Sequence, residues 1–151
     1  RQYISKYQWK NYIKCSSKKD DFKFDLDTDQ LESLIKLCNQ FGVEKVLSIN
    51  PSTANSVLDP YLDSVDGVQF MGNDKIGYHG VELNEIVLEK VSALRAVAPD
   101  LPIGIDIGVK FKTLVSLAKA GVTRFSSGST ILKSDDPKQT IKDMLKVIKN
   151  G

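Results

Sequence analysis

From residue 21 onward the chain alternates short apolar runs with longer stretches of helical periodicity, the pattern of repeated βα units around a parallel sheet. Candidate strands are Phe22 to Leu26, Lys45 to Ile49, Gly67 to Met71, Ile103 to Asp106 and Arg124 to Ser127. Between the first two, Leu31, Leu34, Ile35, Leu37, Cys38 and Phe41 follow the i, i+3, i+4, i+7 rule. Asp29 with Glu32 can form a capping box at the start of this helix, and Gly42 stops it. Further helices are expected at Asn55 to Asp63, Asn84 to Val97, Lys110 to Ala120 and Pro137 to Lys149. The last of these carries Ile141, Met144, Leu145 and Ile148 on one face.

Strand starts recur at the spacing one βα unit of a (β/α)8 barrel consumes, with one wider gap that holds the glycine-bearing loop Gly72 to Gly80. A doubly wound open sheet uses the same right-handed crossovers and is the competing fold. No Gly-x-Gly-x-x-Gly follows the first strand, which turns the choice toward a barrel. A complete barrel needs about 250 residues, 200 at the small end, so the 151 residues here imply a partial α/β barrel of about five βα units. Open edge strands and exposed apolar surface would follow, which predicts self-association or a preceding segment that covers them. A chain that begins with Arg1 agrees with processing or truncation.

At 41% hydrophobic and 26% charged residues, the composition is that of one globular domain spanning 1–151. No apolar run approaches the roughly 18 residues needed to cross a bilayer, and no signal segment opens the chain, so no membrane role is expected. Cys15 and Cys38 lack metal-ligand spacing, and Asn50-Pro51-Ser52 is blocked by its proline as a glycosylation site. Together these point to a reducing, cytoplasmic setting. The single histidine, His79, excludes a site built on two histidines of one copy of this sequence.

Charge changes the picture at one end only. Residues 1–19 hold six basic side chains (Arg1, Lys6, Lys10, Lys14, Lys18, Lys19) and no acidic one, so the remainder is net acidic. Lys6, Lys10, Lys14 and Lys18 recur every fourth position among Tyr3, Tyr7, Trp9, Tyr12 and Ile13, which predicts a basic helical segment over 1–21. Such a stripe suits nucleic-acid phosphates. It equally suits the solvated face of a surface helix, and no nucleic-acid motif accompanies it.

Ligands of parallel α/β folds sit at the C-terminal strand ends. There the sequence places Asn50-Pro51-Ser52-Thr53, then Gly72 to Gly80, Asp106-Ile107-Gly108 and Gly128-Ser129-Thr130. Loop glycines let backbone N–H groups approach an anion, and the last two loops lead into helices, so a phosphate can be held without Arg or Lys. Each glycine can equally serve a turn of positive φ. Asp106 ends an otherwise apolar strand at the barrel mouth, where a carboxylate acts as acid, base or metal ligand, or simply as a cap. Asp25 and Asp27 offer a second carboxylate, though Asp27-Thr28-Asp29 also reads as a helix start. His79, in the glycine loop, faces substrate or solvent alike.

From Val46 onward the chain resembles the C-terminal part of the ribulose-phosphate 3-epimerase family. The likeness runs in order through Ile49-Asn50-Pro51-Ser52-Thr53, Pro60 to Asp66, Met71, Gly77-Tyr78-His79-Gly80, Val87 to Val91 with Leu94-Arg95, Ile105 to Val109, Ala120-Gly121-Val122, Gly128 to Leu132 and Asp136-Pro137. Residues 1–45 match more loosely, and barrel strands one to three have no counterpart. The resemblance implies a (β/α)8 barrel of the ribulose-phosphate-binding type. It also implies an activity, the interconversion of ribulose 5-phosphate and xylulose 5-phosphate through an enediolate, with two aspartates and a divalent metal cation. Asp106 would then be both catalytic acid/base and metal ligand, and Gly77, Gly80, Gly108, Gly128 and Ser129 would bind the substrate phosphate. The family's other aspartate and its two metal-binding histidines belong to the strands without counterpart, and His79 does not replace them. Ile107 stands where a second glycine is expected, crowding the phosphate approach, and Val81 where glutamine is usual. The alternative to an epimerase is a phosphosugar-binding module that lacks the metal site.

Overall fold

The computed structural model describes residues 3–4, 12–16, 28–78 and 80–151. In chain order the elements are β1 (Tyr3–Ile4), β2 (Tyr12–Ser16), α1 (Thr28–Phe41), β3 (Glu44–Ile49), a 3-10 helix (Asn55–Tyr61), β4 (Gly67–Met71), α2 (Ile86–Val97), β5 (Ile103–Asp106), α3 (Phe111–Ala120), β6 (Arg124–Ser126), α4 (Ser129–Leu132) and α5 (Pro137–Asn150). The strands form one sheet in the order β1-β6-β5-β4-β3-β2, with every pair parallel.

Strand alternation divides the side chains of this sheet into two sets. Leu47, Ile49, Val68, Phe70, Ile103, Ile105 and Phe125 join Val87, Val91, Leu94, Leu114, Leu117, Met144 and Ile148 of the helices in one buried core. The other set, Glu44, Val46, Ser48, Gln69, Met71, Gly104, Asp106, Arg124 and Ser126, lies on the opposite face and is largely polar. That face is concave. Arg124 of β6 and Glu44 of β3 form an ion pair although β4 and β5 stand between their strands. Adjacent strands are about 4.8 Å apart, so a flat sheet would hold those two residues out of reach. The sheet curls about an axis, with the helices outside it: a partial (β/α)8 barrel.

Four of the expected strands match β3, β4, β5 and β6 to within a residue, and the fifth, Phe22 to Leu26, lies outside the described residues. The basic helix over 1–21 is overturned where it can be compared. Tyr12–Ser16 is a strand that pairs with β3 from Tyr12↔Glu44 to Ser16↔Ser48, and Tyr3–Ile4 pairs with β6. The lysine spacing fits a helix, but Tyr12-Ile13-Lys14-Cys15 also alternates with period two, and an open edge of β3 rewards an extended segment with ladder hydrogen bonds. The helix expected at Asn55 to Asp63 is a shorter 3-10 helix containing Pro60, which has no N–H to donate to an α-helical ladder. Helix α2 begins at Ile86, two residues late, because the Asn84 side chain accepts the Ile86 N–H at 3.3 Å. Helix α4 has no counterpart among the expected elements. Among the described residues no helix is long and apolar enough to cross a membrane.

Candidate active site at the C-terminal strand ends

The loops that follow β4, β5 and β6 enclose a cleft of about 440 Å³. Gly77, Gly80, Asp106, Gly108, Gly128 and Ser129, all singled out by the sequence, line it together. His79, Asp25 and Asp27 lie outside the described residues.

Backbone geometry explains why these loops meet. Gly72 N donates to the Asp106 carbonyl at 2.6 Å, and its own carbonyl accepts from Asn84 N at 2.7 Å, so both ends of the long loop are tied to the mouth of β5. A Cβ on Gly72 would stand 2.0 Å from the Ile107 carbonyl oxygen, and one on Gly108 2.7 Å from the Leu83 Cα. Only glycine permits either approach. The loops after β5 and β6 are joined in turn at the Val109 carbonyl, which accepts from Ser127 Oγ at 2.9 Å and Thr130 Oγ1 at 3.2 Å. Thr113 Oγ1 accepts from Lys110 N at 3.0 Å and donates to the Gly108 carbonyl at 2.7 Å, which fixes the turn into α3.

Asp106 is half-buried, and its Oδ1 accepts the Ile107 N–H at 2.9 Å. Ile107 itself has φ 73°, in the left-handed region, which a β-branched residue enters only under strain. The departure noted in the sequence is therefore a backbone fact: the position is built for glycine and carries isoleucine.

Two cations that sequence reasoning misses also line the cleft, Lys110 and Lys133. Lys110 Nζ bonds Glu82 Oε1 at 2.6 Å and the Gly80 carbonyl at 3.2 Å, and Lys112 reaches Glu82 Oε2 at 2.7 Å. These two ammonium groups, Lys110 first, hold the Glu82 carboxyl down at about 2. The glycine loop is thereby latched to the start of α3. Lys133 follows α4, which carries no sequence signal of its own. Lys110 follows a recognised loop and is legible there as a cation beside Gly108.

A second cluster braces the loop after β3. Lys90 Nζ donates to the carbonyls of Pro51 at 3.1 Å, Asn50 at 3.3 Å and Thr53. Burial of the ammonium lowers the Lys90 pKa, against a partial opposing effect of Asp74. Asp74 Oδ1 accepts from Ser52 Oγ at 2.8 Å, which links this loop to the one after β4.

The donors in the described lining alone are too few for a divalent cation, which takes four or more ligands. Among the described residues no three His, Cys, Asp or Glu side chains converge, and Asp106 is the one carboxylate in the cleft lining.

Fold and cleft together define a (β/α)8-type α/β protein with a glycine-lined pocket at the C-terminal strand ends. The model of the ribulose-phosphate 3-epimerase family matches residues 7–132, and the chain belongs to that family. Ribulose-phosphate 3-epimerase of Candida glabrata is 28% identical over 137 residues, which is 89% of this chain and 54% of the relative. The enzyme of the same name from Eremothecium gossypii is 30% identical over 126 residues, 82% of this chain and 51% of the relative, and that of Escherichia coli K12 is 27% identical over 121 residues, 78% and 53%. The chain thus spans about half the length of the curated relatives it matches. Among solved structures, KGPDC from Streptococcus mutans superposes with a TM-score of 0.72 at 14% identity, covering 93% of this chain and 62% of that one. The 3-hexulose-6-phosphate synthase from Salmonella typhimurium gives 0.69 at 14% identity with the same coverage. At that identity the likeness is one of fold.

Proposed function

We propose that the cleft binds a phosphorylated sugar, with the phosphate held by the loops of Gly77, Gly80, Gly108, Gly128 and Ser129 and the sugar carbons turned toward Asp106. The observation that carries this reading is the convergence of those glycines and Asp106 on one 440 Å³ cleft. Family membership narrows the substrate to a ketopentose phosphate, and the activity to the interconversion of ribulose 5-phosphate and xylulose 5-phosphate.

In that reaction a base removes the proton at carbon 3, next to the C2 carbonyl, and the resulting enediolate takes a proton back on its opposite face. Asp106, at the end of β5 in the cleft lining, is the group assigned one of these transfers. With Oδ1 engaged by the Ile107 N–H, Oδ2 is the oxygen that takes or returns the proton, and the fixed N–H keeps the carboxylate oriented. The glycine loops bind and orient the phosphate, so the non-reacting end of the substrate supplies positioning. Inversion needs a second acid/base on the other face, and the described lining holds no second carboxylate. A divalent cation, which the family resemblance implies, would supply charge stabilisation next to the substrate oxygens. Asp106 offers such an ion one carboxylate, fewer ligands than a divalent cation takes.

The test is turnover of ribulose 5-phosphate by the full-length protein with and without added divalent cation, alongside Asp106→Asn. If Asp106 moves the proton, D106N lowers kcat by at least about a hundredfold, the usual contribution of a general base, with little change in KM. Equal kcat in the two proteins would remove Asp106 from that role. The single carboxylate in the described lining favours one other reading, a binding module that keeps the phosphate site without turnover. Calorimetry that shows binding of ribulose 5-phosphate where no product forms would select it.

A further inference from the structure

One buried polar atom on the inner face of β3, the Ser48 hydroxyl, remains when the hydrogen bonds around the cleft have been assigned, and Asn50 follows directly after the strand. Ser48 is 3% exposed and its hydroxyl has no hydrogen-bond partner among the described residues. Asn50, two residues on and 7% exposed, is engaged through its backbone carbonyl by Thr53 N and Lys90 Nζ, while its side-chain amide has no partner among the described residues. Alternation sends Ser48 to the side opposite Leu47 and Ile49, which pack against the helices. Its neighbour in register on β4 is Gln69, also 3% exposed, whose Nε2 donates to Met71 Sδ at 3.7 Å, a weak acceptor. One step further along the sheet, Met71, Asp106 and Ser126 are neighbours across β4, β5 and β6, and all three line the cleft. Ser48 and Gln69 therefore lie one row beneath Asp106 and Asn50 beside its row, adjoining the cleft lining rather than forming it, across the sheet from the loops of Gly108 and Gly128.

Buried polar groups are nearly always satisfied, and the Ser48 hydroxyl is an exception beside two amides, of Asn50 and Gln69, whose bonding capacity is only partly used. The chemistry here is specific. A hydroxyl and two amides offer neutral donors and acceptors side by side, a set matched to alcohol and carbonyl oxygens rather than to a cation or an apolar group. We propose that Ser48, Asn50 and Gln69 form the part of the site that reads the hydroxyl and carbonyl oxygens of a sugar phosphate whose phosphate sits in the glycine loops. This rests on the phosphosugar reading of the cleft and deepens it: the residues that distinguish one phosphorylated polyol from another are on β3, just after it and on β4, while the phosphate loops follow β4, β5 and β6.

Two probes separate the halves of the site. Ribulose 5-phosphate engages both, and inorganic phosphate engages the glycine loops alone. In titration calorimetry on the full-length protein, Ser48→Ala, Asn50→Ala and Gln69→Leu should each weaken ribulose 5-phosphate about five- to tenfold, the loss of one hydrogen bond. Inorganic phosphate affinity should not change. The melting temperature of S48A should hold or rise, since it deletes an unpaired hydroxyl. If all three variants bind ribulose 5-phosphate as the wild type does, the polar row holds a structural water and the inference falls while the phosphate reading stands. If the wild type binds neither probe, the phosphosugar reading falls and takes this inference with it. Should N50A fail to fold, S48A and Q69L decide the matter.

Discussion

Ile107 has φ 73° between Asp106 and Gly108, itself at φ 76°. A β-branched residue in the left-handed region costs about 1–3 kcal/mol, strain of the kind that gathers at functional sites. At an ordinary position alanine is more stable than glycine by about 0.5–1 kcal/mol because glycine loses more freedom on folding. Here the order should reverse. Ile107→Gly and Ile107→Ala both remove the side chain, but only glycine relieves the φ penalty, so I107G should exceed I107A in stability by about 1 kcal/mol in urea unfolding. The opposite order would mean that the backbone at 107 relaxes out of the left-handed region. The sequence marks this residue as a departure from the family pattern. It cannot show the consequence, because the turn at 107–108 lies against Gly72 and Leu83, which come from elsewhere in the chain.

Whole elements are legible where one short-range signal decides them. Apolar runs bounded by turns mark β3 to β6, and helical periodicity marks α1, α2, α3 and α5. The failures share a cause. Tyr12–Ser16 satisfies two periodicities at once, and its choice is made by the open edge of β3, a tertiary fact. Helix α4 is four residues long and has too few positions to show a period. The glycine loop is recognisable by composition, but not the latch that holds it, since Glu82 and Lys110 are 28 residues apart. That latch has a pH signature. Glu82 titrates at about 2 in the fold, against an ordinary 4.5. A lowered carboxyl pKa contributes stability that is fully present above the unfolded value and is lost as pH falls through the folded one. The unfolding midpoints of wild type and Glu82→Gln should therefore differ above pH 4.5 and converge as pH approaches 2. Because Glu82 is exposed, salt should shrink the difference. A gap independent of both pH and salt would show that the carboxylate charge is not what holds the loop.

At the scale of the molecule, the polar concave face and the apolar helical face depend on the sheet being curled, and the Glu44–Arg124 pair spans that curl. No neighbouring strands bring these residues together. β3 pairs with β2 and β4, and β6 with β5 and β1. Both side chains are partly shielded, at 32% and 26% exposure, between the regime of surface pairs worth under about 1 kcal/mol and that of buried pairs whose breakage costs several. A double-mutant cycle isolates what they contribute to each other. Glu44→Gln and Arg124→Met should each destabilise the protein, and together cost less than the sum of the two by about 1 kcal/mol, because each change alone already removes the interaction between them. Arg124 makes other contacts, so R124M alone should cost more than E44Q. Coupling at zero would place the two strands too far apart to interact and describe an open, flatter sheet. A flatter sheet would also reshape the cleft, because Met71, Asp106 and Ser126 reach its lining from that same inner face.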